Sequence, residues 1–531
     1  MFFNRYFSTI ISLKPIQIVY QIYYKFVPGR SNLRKYNKYL GKRLEKLFLV
    51  LKYDQHRSLI EISINGSLFK FLNQEYDFKN QINWNYLGSG KLWNYNLQYL
   101  DYILDNRIDI SVRRKILQLN SIALLNGDLK PEPYPVSLRI NNILIFNSFF
   151  GINDVDVERA LKLQIDFLEK NLEYHILANH LLENYIALFL ASYALNDYKL
   201  NDKFSYKLLK ELEEQILDDG CHFERSPMYH CVILYRLLLC IDVIENNGCF
   251  ENTLLLIQLK RKCGLMIGWL EAFSYQDGSW PLVNDSANFI CFSKSELEKF
   301  AHSLKVQTIQ TRLKSSGFRK LKIRQFEVLI NLGNINPKYQ CGHAHSDLMS
   351  FYLWKNNKQL IVDTGVSTYE CNNVRFNERS TLAHNTITIN GNSQSDVWGS
   401  FRIGKKAKLT LNNDKLTMLS ADVNNMLRSS FKTKHQRNFN VINNDTLRIA
   451  DFVTVENAEI VSRIHFDYRV KPKIDGCKIY FDDFVLKYDS GLISLQLETY
   501  DQAIGFNFKK KSCKIVACVE NVSSFTISES I

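Results

Sequence analysis

The sequence predicts a helical N-terminal half followed by an antiparallel β-sandwich. Two observations carry this: the hydrophobic period changes near residue 310, and so do the residues that punctuate it. Before that point apolar residues recur at three- and four-residue spacing over 92–104, 110–127, 154–171, 180–197, 202–217, 229–247 and 253–273, the pattern of amphipathic helices. The stretch 181–195 is apolar nearly all round and reads as a helix buried between layers. After residue 320 the apolar runs are short and β-branched, among them FEVLINL, QLIVDTG, NTITING, TLRIADFVTV and KIVACVE, with Asn, Gly and Asp between them. A chain of 531 residues exceeds one core. The expected order is a basic, apolar N-terminal segment (1–30), a helical domain (31–310), a linker (311–325) and the sandwich (326–531).

Composition narrows the function classes. A hydrophobic fraction of 46% with 23% charged residues is that of a globular chain rather than a disordered one. Lys and Arg total 67 against 54 Asp and Glu, a surplus that draws in polyanions. Nucleic acid, an anionic membrane and an acidic polysaccharide or oligosaccharide all satisfy it; the basic residues are scattered and no nucleic-acid-binding motif is present, which weighs against nucleic acid. The eleven cysteines form no CxxC pair and read as buried free thiols. The basic, apolar start carries no small-residue cleavage site, so no cleavable signal peptide is evident. There is no unbroken apolar run of spanning length, about 18 residues. The stretch 16–26 is expected to pack on a domain, with peripheral membrane contact as the alternative.

Three segments can carry chemistry. In Cys341-Gly342-His343-Ala344-His345-Ser346-Asp347, an extended chain would put His343, His345 and Asp347 on one face. Asp363 and His384 flank the following strands; with His345 they offer two imidazoles and a carboxylate, a set suited to a divalent metal such as zinc. That leaves His343 for proton transfer. In the helical half, Asn179 and His180 precede the buried helix, Asn179 as an N-cap or as part of an anion site at the helix start. The loop 219–230 ends with Pro227 and Tyr229 at a helix start, and His222, Arg225 and His230 lie close in sequence. Tyr229 there is an acid/base candidate; Arg225 or His343 would supply positive charge, and Arg225 is also a candidate substrate contact.

Together the segments LKPIQIVYQIYYKF, LWNYNLQYLDY, YPVSLRINN, NHLLENYIALFLA, DGCHFERSPMYH, QDGSWPLVNDS, GHAHSDLMSF and VDTGVSTY through ERSTLAHNTITING resemble the heparinase II/III-like family, which includes alginate and heparin lyases. The resemblance covers both halves in order. It implies an incomplete (α/α) toroid on a β-sandwich, and β-elimination in a uronate-containing polysaccharide. It further implies that Asn179 and His180 neutralise the substrate carboxylate, that Tyr229 and His343 exchange protons, and that His345, Asp363 and His384 hold a structural zinc. Tyr369 and Arg379 would line the cleft, with Arg139, Trp93, Trp280 and Asp285 as weaker candidates for substrate contact or cleft shape. The start of the chain is similar to that of members associated with bacterial capsule or exopolysaccharide synthesis, which implies association with the cell envelope, a cytoplasmic or membrane-peripheral place being the alternative in the absence of an evident cleavable signal peptide. Two other readings stand beside the lyase: a catalytically silent polysaccharide-binding or assembly protein, and a glycoside hydrolase using two of Glu183, Glu224 and Asp285.

Overall fold

The structure is a computed structural model; it describes residues 2–26, 32–51, 61–62, 66–339, 341–424, 433–455, 457–482 and 484–529. Two short helices open it, α1 (Phe2–Ser12) and α2 (Pro15–Phe26). A small antiparallel sheet follows, β1 (Glu61–Ile62), β2 (Leu68–Phe71) and β3 (Gln74–Asp77). The toroid comprises α3 (Lys91–Tyr99), α4 (Ile110–Asn126), α5 (Pro133–Phe150), α6 (Val155–Lys170), α7 (Ala178–Ala194), α8 (Tyr198–Gln215), α9 (Pro227–Asn246), α10 (Thr253–Phe273) and α11 (Lys294–Ser303). Its core is continuous from Leu97 through Leu188 and Leu238 to Trp269.

Helix α5 lies outside the helical stretches read from the sequence. Its residues 135–147 are all buried, so it has no polar face and hence no amphipathic period. Helix α9 is long and apolar enough to cross a membrane but is a core helix, buried along nearly its whole length; among the described residues no other helix passes that test.

The β-rich half begins with a four-stranded sheet, β4 (Phe318–Ile323), β5 (Phe326–Asn331), β6 (Phe351–Lys355) and β7 (Lys358–Ile361). Strand β4 occupies part of the stretch expected as linker, and its Phe318 packs on Phe273 of α10, with ring centroids 4.9 Å apart. Then come α12 (Asn373–Arg379), β8 (Ile387–Ile389) and the hairpin β9 (Val397–Trp398) with β10 (Arg402–Ile403). The second large sheet is built from β11 (Lys408–Lys415), β12 (Met418–Asn424), β13 (Lys434–Ile442), β14 (Thr446–Val453), β15 (Ile460–His465), β16 (Lys473–Asp475), β17 (Lys478–Tyr480), β18 (Phe484–Gly505) and β19 (Phe508–Glu529). All its pairings are antiparallel, in the order β11-β12-β13-β14-β19-β18-β17-β16, with β15 joining β19 to β8. Side chains of both sheets, such as Val328, Phe351, Phe439 and Ile515, share one core. The fold is thus a helical toroid followed by an antiparallel β-sandwich.

All eleven cysteines are free thiols, but Cys249, Cys371 and Cys477 are exposed, against the expectation that the set is buried.

Candidate active site

A cavity of about 670 Å³ lies where the two halves meet. Asn179, His180 and Tyr229 reach it from the toroid; His343, Tyr369 and Phe401 reach it from the β-rich half.

Asn179 and His180 sit in the first turn of α7. The helix starts one residue earlier than Asn179, with Leu177 as N-cap, so Asn179 is not the cap. Leu177 and Ala178 both have positive φ, 66° and 53°, a costly conformation for side chains of this kind that turns the chain sharply into the cavity. Glu224, from the loop before α9, does the capping: it accepts from the Asn179 side-chain amide at 3.0 Å and from its backbone N–H at 3.4 Å. Burial pushes the Glu224 carboxyl up, opposed by His343, Asn179 and His180 around it. His180 stacks on Tyr134 at 4.1 Å and bonds through Nδ1 to Glu173 at 3.1 Å. Burial opposes charge on this imidazole, but Glu173, Glu224 and Glu183 outweigh it and raise its pKa.

Tyr229 lies in the first turn of α9, where Ser226 caps the helix and Pro227 opens it, as the sequence suggests. Its ring lies 4.0 Å from that of His343, and its hydroxyl is 3.3 Å from that of Tyr369. Burial first, then Tyr369 and Tyr134, push its phenol well above the usual range. His343 is not in a strand: 341–350 is a loop. His343 Nδ1 lies 2.9 Å from one oxygen of Asp285, and His345 Nε2 lies 2.9 Å from the other. Asp347 leaves this face and accepts from Asn331 at 2.8 Å.

Asp285 is the hub the sequence underrated. It is fully buried and also accepts from both terminal guanidinium nitrogens of Arg375, at 2.5 and 2.6 Å. Burial alone would raise its pKa; Arg375 and the two imidazoles hold it well below the usual carboxylate range. Arg375, one helical turn before Arg379, went unnoticed in the sequence; its guanidinium lies 4.9 Å over the Tyr369 ring and fixes that residue as well.

Four expected substrate contacts do not line the cavity. Arg139 is fully buried against Gln164 (2.6 Å) and the carbonyl of Gln98 (3.0 Å). Trp93 is packed among Phe71, Tyr76 and Tyr86 with its N–H on Gln74. Arg225 crosses to the β-rich half and donates to the carbonyls of Gly333 and Asn334 at 3.0 and 2.7 Å. A Cβ on Gly333 would lie 2.5 Å from that guanidinium, so glycine is required there. Arg379 donates to the carbonyls of Ala344, Gly399 and Ser400, tying the His343 loop to the β9–β10 hairpin. Trp280 lies off the cavity too, as do His222 and His230, which are buried on Gln215 and Met266. Each carries a charge or ring that sequence reading sends to a cleft and packing sends inward.

His345, Asp363 and His384 come together as expected: their ligating atoms lie within 4.8 Å of one another and all three residues are buried. His345 Nδ1 and His384 Nε2 have no hydrogen-bond partner, which is costly for buried polar atoms. The other ring nitrogen of His345 is fixed by Asp285 at 2.9 Å, as an outer carboxylate orients a metal-binding imidazole, and that of His384 lies 3.0 Å from Asp363, itself one of the three candidate ligands. The residues fit a divalent metal.

Residues 125–306 match the family model described as heparinase II/III N-terminus, and residues 307–515 match heparinase II/III-like, C-terminal. The chain belongs to the heparinase II/III-like family of polysaccharide lyases. Similar solved structures include heparinase III (TM-score 0.65, 16% identity, 95% of this chain and 92% of that one). Others are the heparinase III BT4657 gene product (0.59, 15%, 93% and 87%) and heparan sulfate lyase HepC from Pedobacter heparinus (0.54, 16%, 87% and 81%). At these identities the likeness is one of fold. No curated protein matches the chain.

Proposed function

We propose that this protein cleaves a uronate-containing polysaccharide by β-elimination, in the making or editing of a bacterial capsule or exopolysaccharide at the cell envelope. The observation that carries the reading is the convergence of Asn179, His180, Tyr229 and His343, from three separate segments, on one cavity. Asn179 and His180, at a helix N-terminus and with His180 favoured as a cation, would hold the uronate carboxylate. Neutralising it makes the C5 proton removable and stabilises the enolate-like charge that develops. Asp285 takes His343 Nδ1, which leaves Nε2 as the base for that proton. Tyr229, held protonated by burial, is equipped to protonate the departing O4. We further assign zinc to the His345–Asp363–His384 group, where it would brace the loops beneath His343 and supply no reacting atom.

Of the three carboxylates that a hydrolase would draw on, only Glu224 reaches the cavity wall; Asp285 is enclosed beneath His343, and Glu183 is fully buried 3.4 Å from Arg236. Apart from histidine, the cations described on the wall are Lys91 and Arg236, paired with Glu132 and Glu183. The rest of the wall is dominated by Tyr, Phe and Leu. A lightly charged uronate polymer suits such a wall better than a heavily sulfated one. Incubation with a panel of uronate polymers tests this: new ultraviolet absorbance from unsaturated uronates is expected on non-sulfated members. Reducing ends released without that absorbance would overturn elimination.

A further inference from the structure

Helices α1 and α2 each have an inner face that is fixed and an outer face that is bare. On the inner side of α1, Arg5 pairs with Asp396 (2.9 Å) and Thr9 accepts from the Trp398 indole (3.2 Å), so the helix rests on the β9–β10 hairpin. On the inner side of α2, the buried Gln17 donates to the carbonyl of Ile176 (3.1 Å), Tyr20 packs on Tyr174 (4.7 Å) and Tyr24 bonds the carbonyl of Leu172. The packing expected for 16–26 is therefore met, by one face only. The pair spans the seam between the two halves beside the cavity, since Ile176, Ser400 and Phe401 all line it.

The outer faces carry Phe7 (61% exposed), Ile10 and Ile11 (66%) on α1, and Val19 (60%), Ile22 and Phe26 (73%) on α2. The spacing is i, i+3, i+4 and i, i+3, i+7, one face in each helix. These two short helices hold nine of the 36 exposed large hydrophobic residues among those described, a concentration that marks an interaction surface rather than scattered exposure. Along the chain the charge of this segment has one sign; in space Arg5 pairs with Asp396 and Lys14 with Glu214, while Lys25 on α2 is exposed. Nine Lys and Arg precede the first acidic residue of the chain, Glu45.

We propose that α1 and α2 seat the protein on an anionic membrane surface, the apolar faces entering the headgroup boundary and the exposed Lys25 facing lipid phosphates. A second copy of the chain suits this surface less well. A two-fold contact would bring the exposed Lys25 towards its own copy, with no acidic residue on either helix to answer it. The proposal goes beyond the lyase reading and does not depend on it. It places the cavity beside the bilayer, where a polymer being assembled or exported would meet it.

The test is co-sedimentation of the full chain with phosphatidylcholine vesicles, with and without phosphatidylglycerol. Binding is expected to the phosphatidylglycerol vesicles and should weaken with added salt. The variant Phe7→Ser/Ile11→Ser/Val19→Ser/Ile22→Ser changes only exposed positions and should bind more than about tenfold more weakly with an unchanged melting temperature. The control Leu254→Ser/Ile257→Ser, which removes exposed apolar residues from α10, should bind as wild type. Should the quadruple variant melt early, Lys25→Glu replaces it and must weaken binding to the anionic vesicles. Equal binding by wild type and the outer-face variants, or no binding at all, would overturn the proposal. So would a wild-type dimer that the quadruple variant converts to monomer, which would assign the surface to a second copy.

Discussion

Asp285 and His343 share a 2.9 Å hydrogen bond between a carboxylate with no solvent exposure and an imidazole on the cavity wall. The same carboxylate holds His345 and Arg375, so one buried charge orients the proposed base, a candidate metal ligand and the guanidinium under Tyr369. Asp285→Asn removes the charge and strands Arg375. Loss of one partner of a buried pair costs about 3–5 kcal/mol, and a fall of that size is expected in urea unfolding. Unchanged stability would show that Arg375 finds another partner.

Tyr229→Phe removes a hydroxyl and nothing else. Turnover should fall by about 10²–10⁴-fold, the usual contribution of a positioned acid or base, with no loss of melting temperature. Retained activity would remove Tyr229 from the chemistry.

The His180 pKa is raised because Glu173, Glu224 and Glu183 overcome burial, so the cation persists above the usual value of about 6.5. Carboxylate binding should be strong below this raised pKa and be lost as pH climbs through it. Glu173→Gln removes the largest of the raising influences and lets burial dominate. The alkaline limb of kcat/KM should then move to lower pH, while an unmoved limb would mean that His180 does not carry the binding charge.

Metal analysis of the purified protein should find zinc at one ion per chain, and His345→Ala should lose it. Chelation should lower the melting temperature, since ion binding stabilises only the folded state. Protein without metal, or with a melting temperature indifferent to chelator, would contradict the assignment.

The sequence made the large features legible because they rest on period. Helices α4, α6 and α10 have a polar face and reveal themselves, and α7 shows as a nearly continuous apolar run; α5 has neither, because the buried Ser137, Arg139, Asn141 and Asn142 interrupt it. The site was legible where chemistry is rare in sequence. Two histidines two residues apart, and a Tyr two residues after a proline, stand out; His343 and Tyr229 reach the cavity, and His345 joins the candidate metal group. What sequence could not show is which arginine points where. Arg379 serves backbone carbonyls, whereas Arg375, a turn earlier on α12, binds Asp285. The capping role of Glu224 was equally hidden, since it requires a residue 45 positions beyond Asn179 to fold back onto α7.

The central claim is elimination rather than hydrolysis, and the mass of the product tests it most directly. A defined uronate oligosaccharide cleaved by this protein should give a new non-reducing end one water lighter than the hydrolytic product, and Tyr229→Phe should give none. A product carrying the full mass of added water would contradict the account.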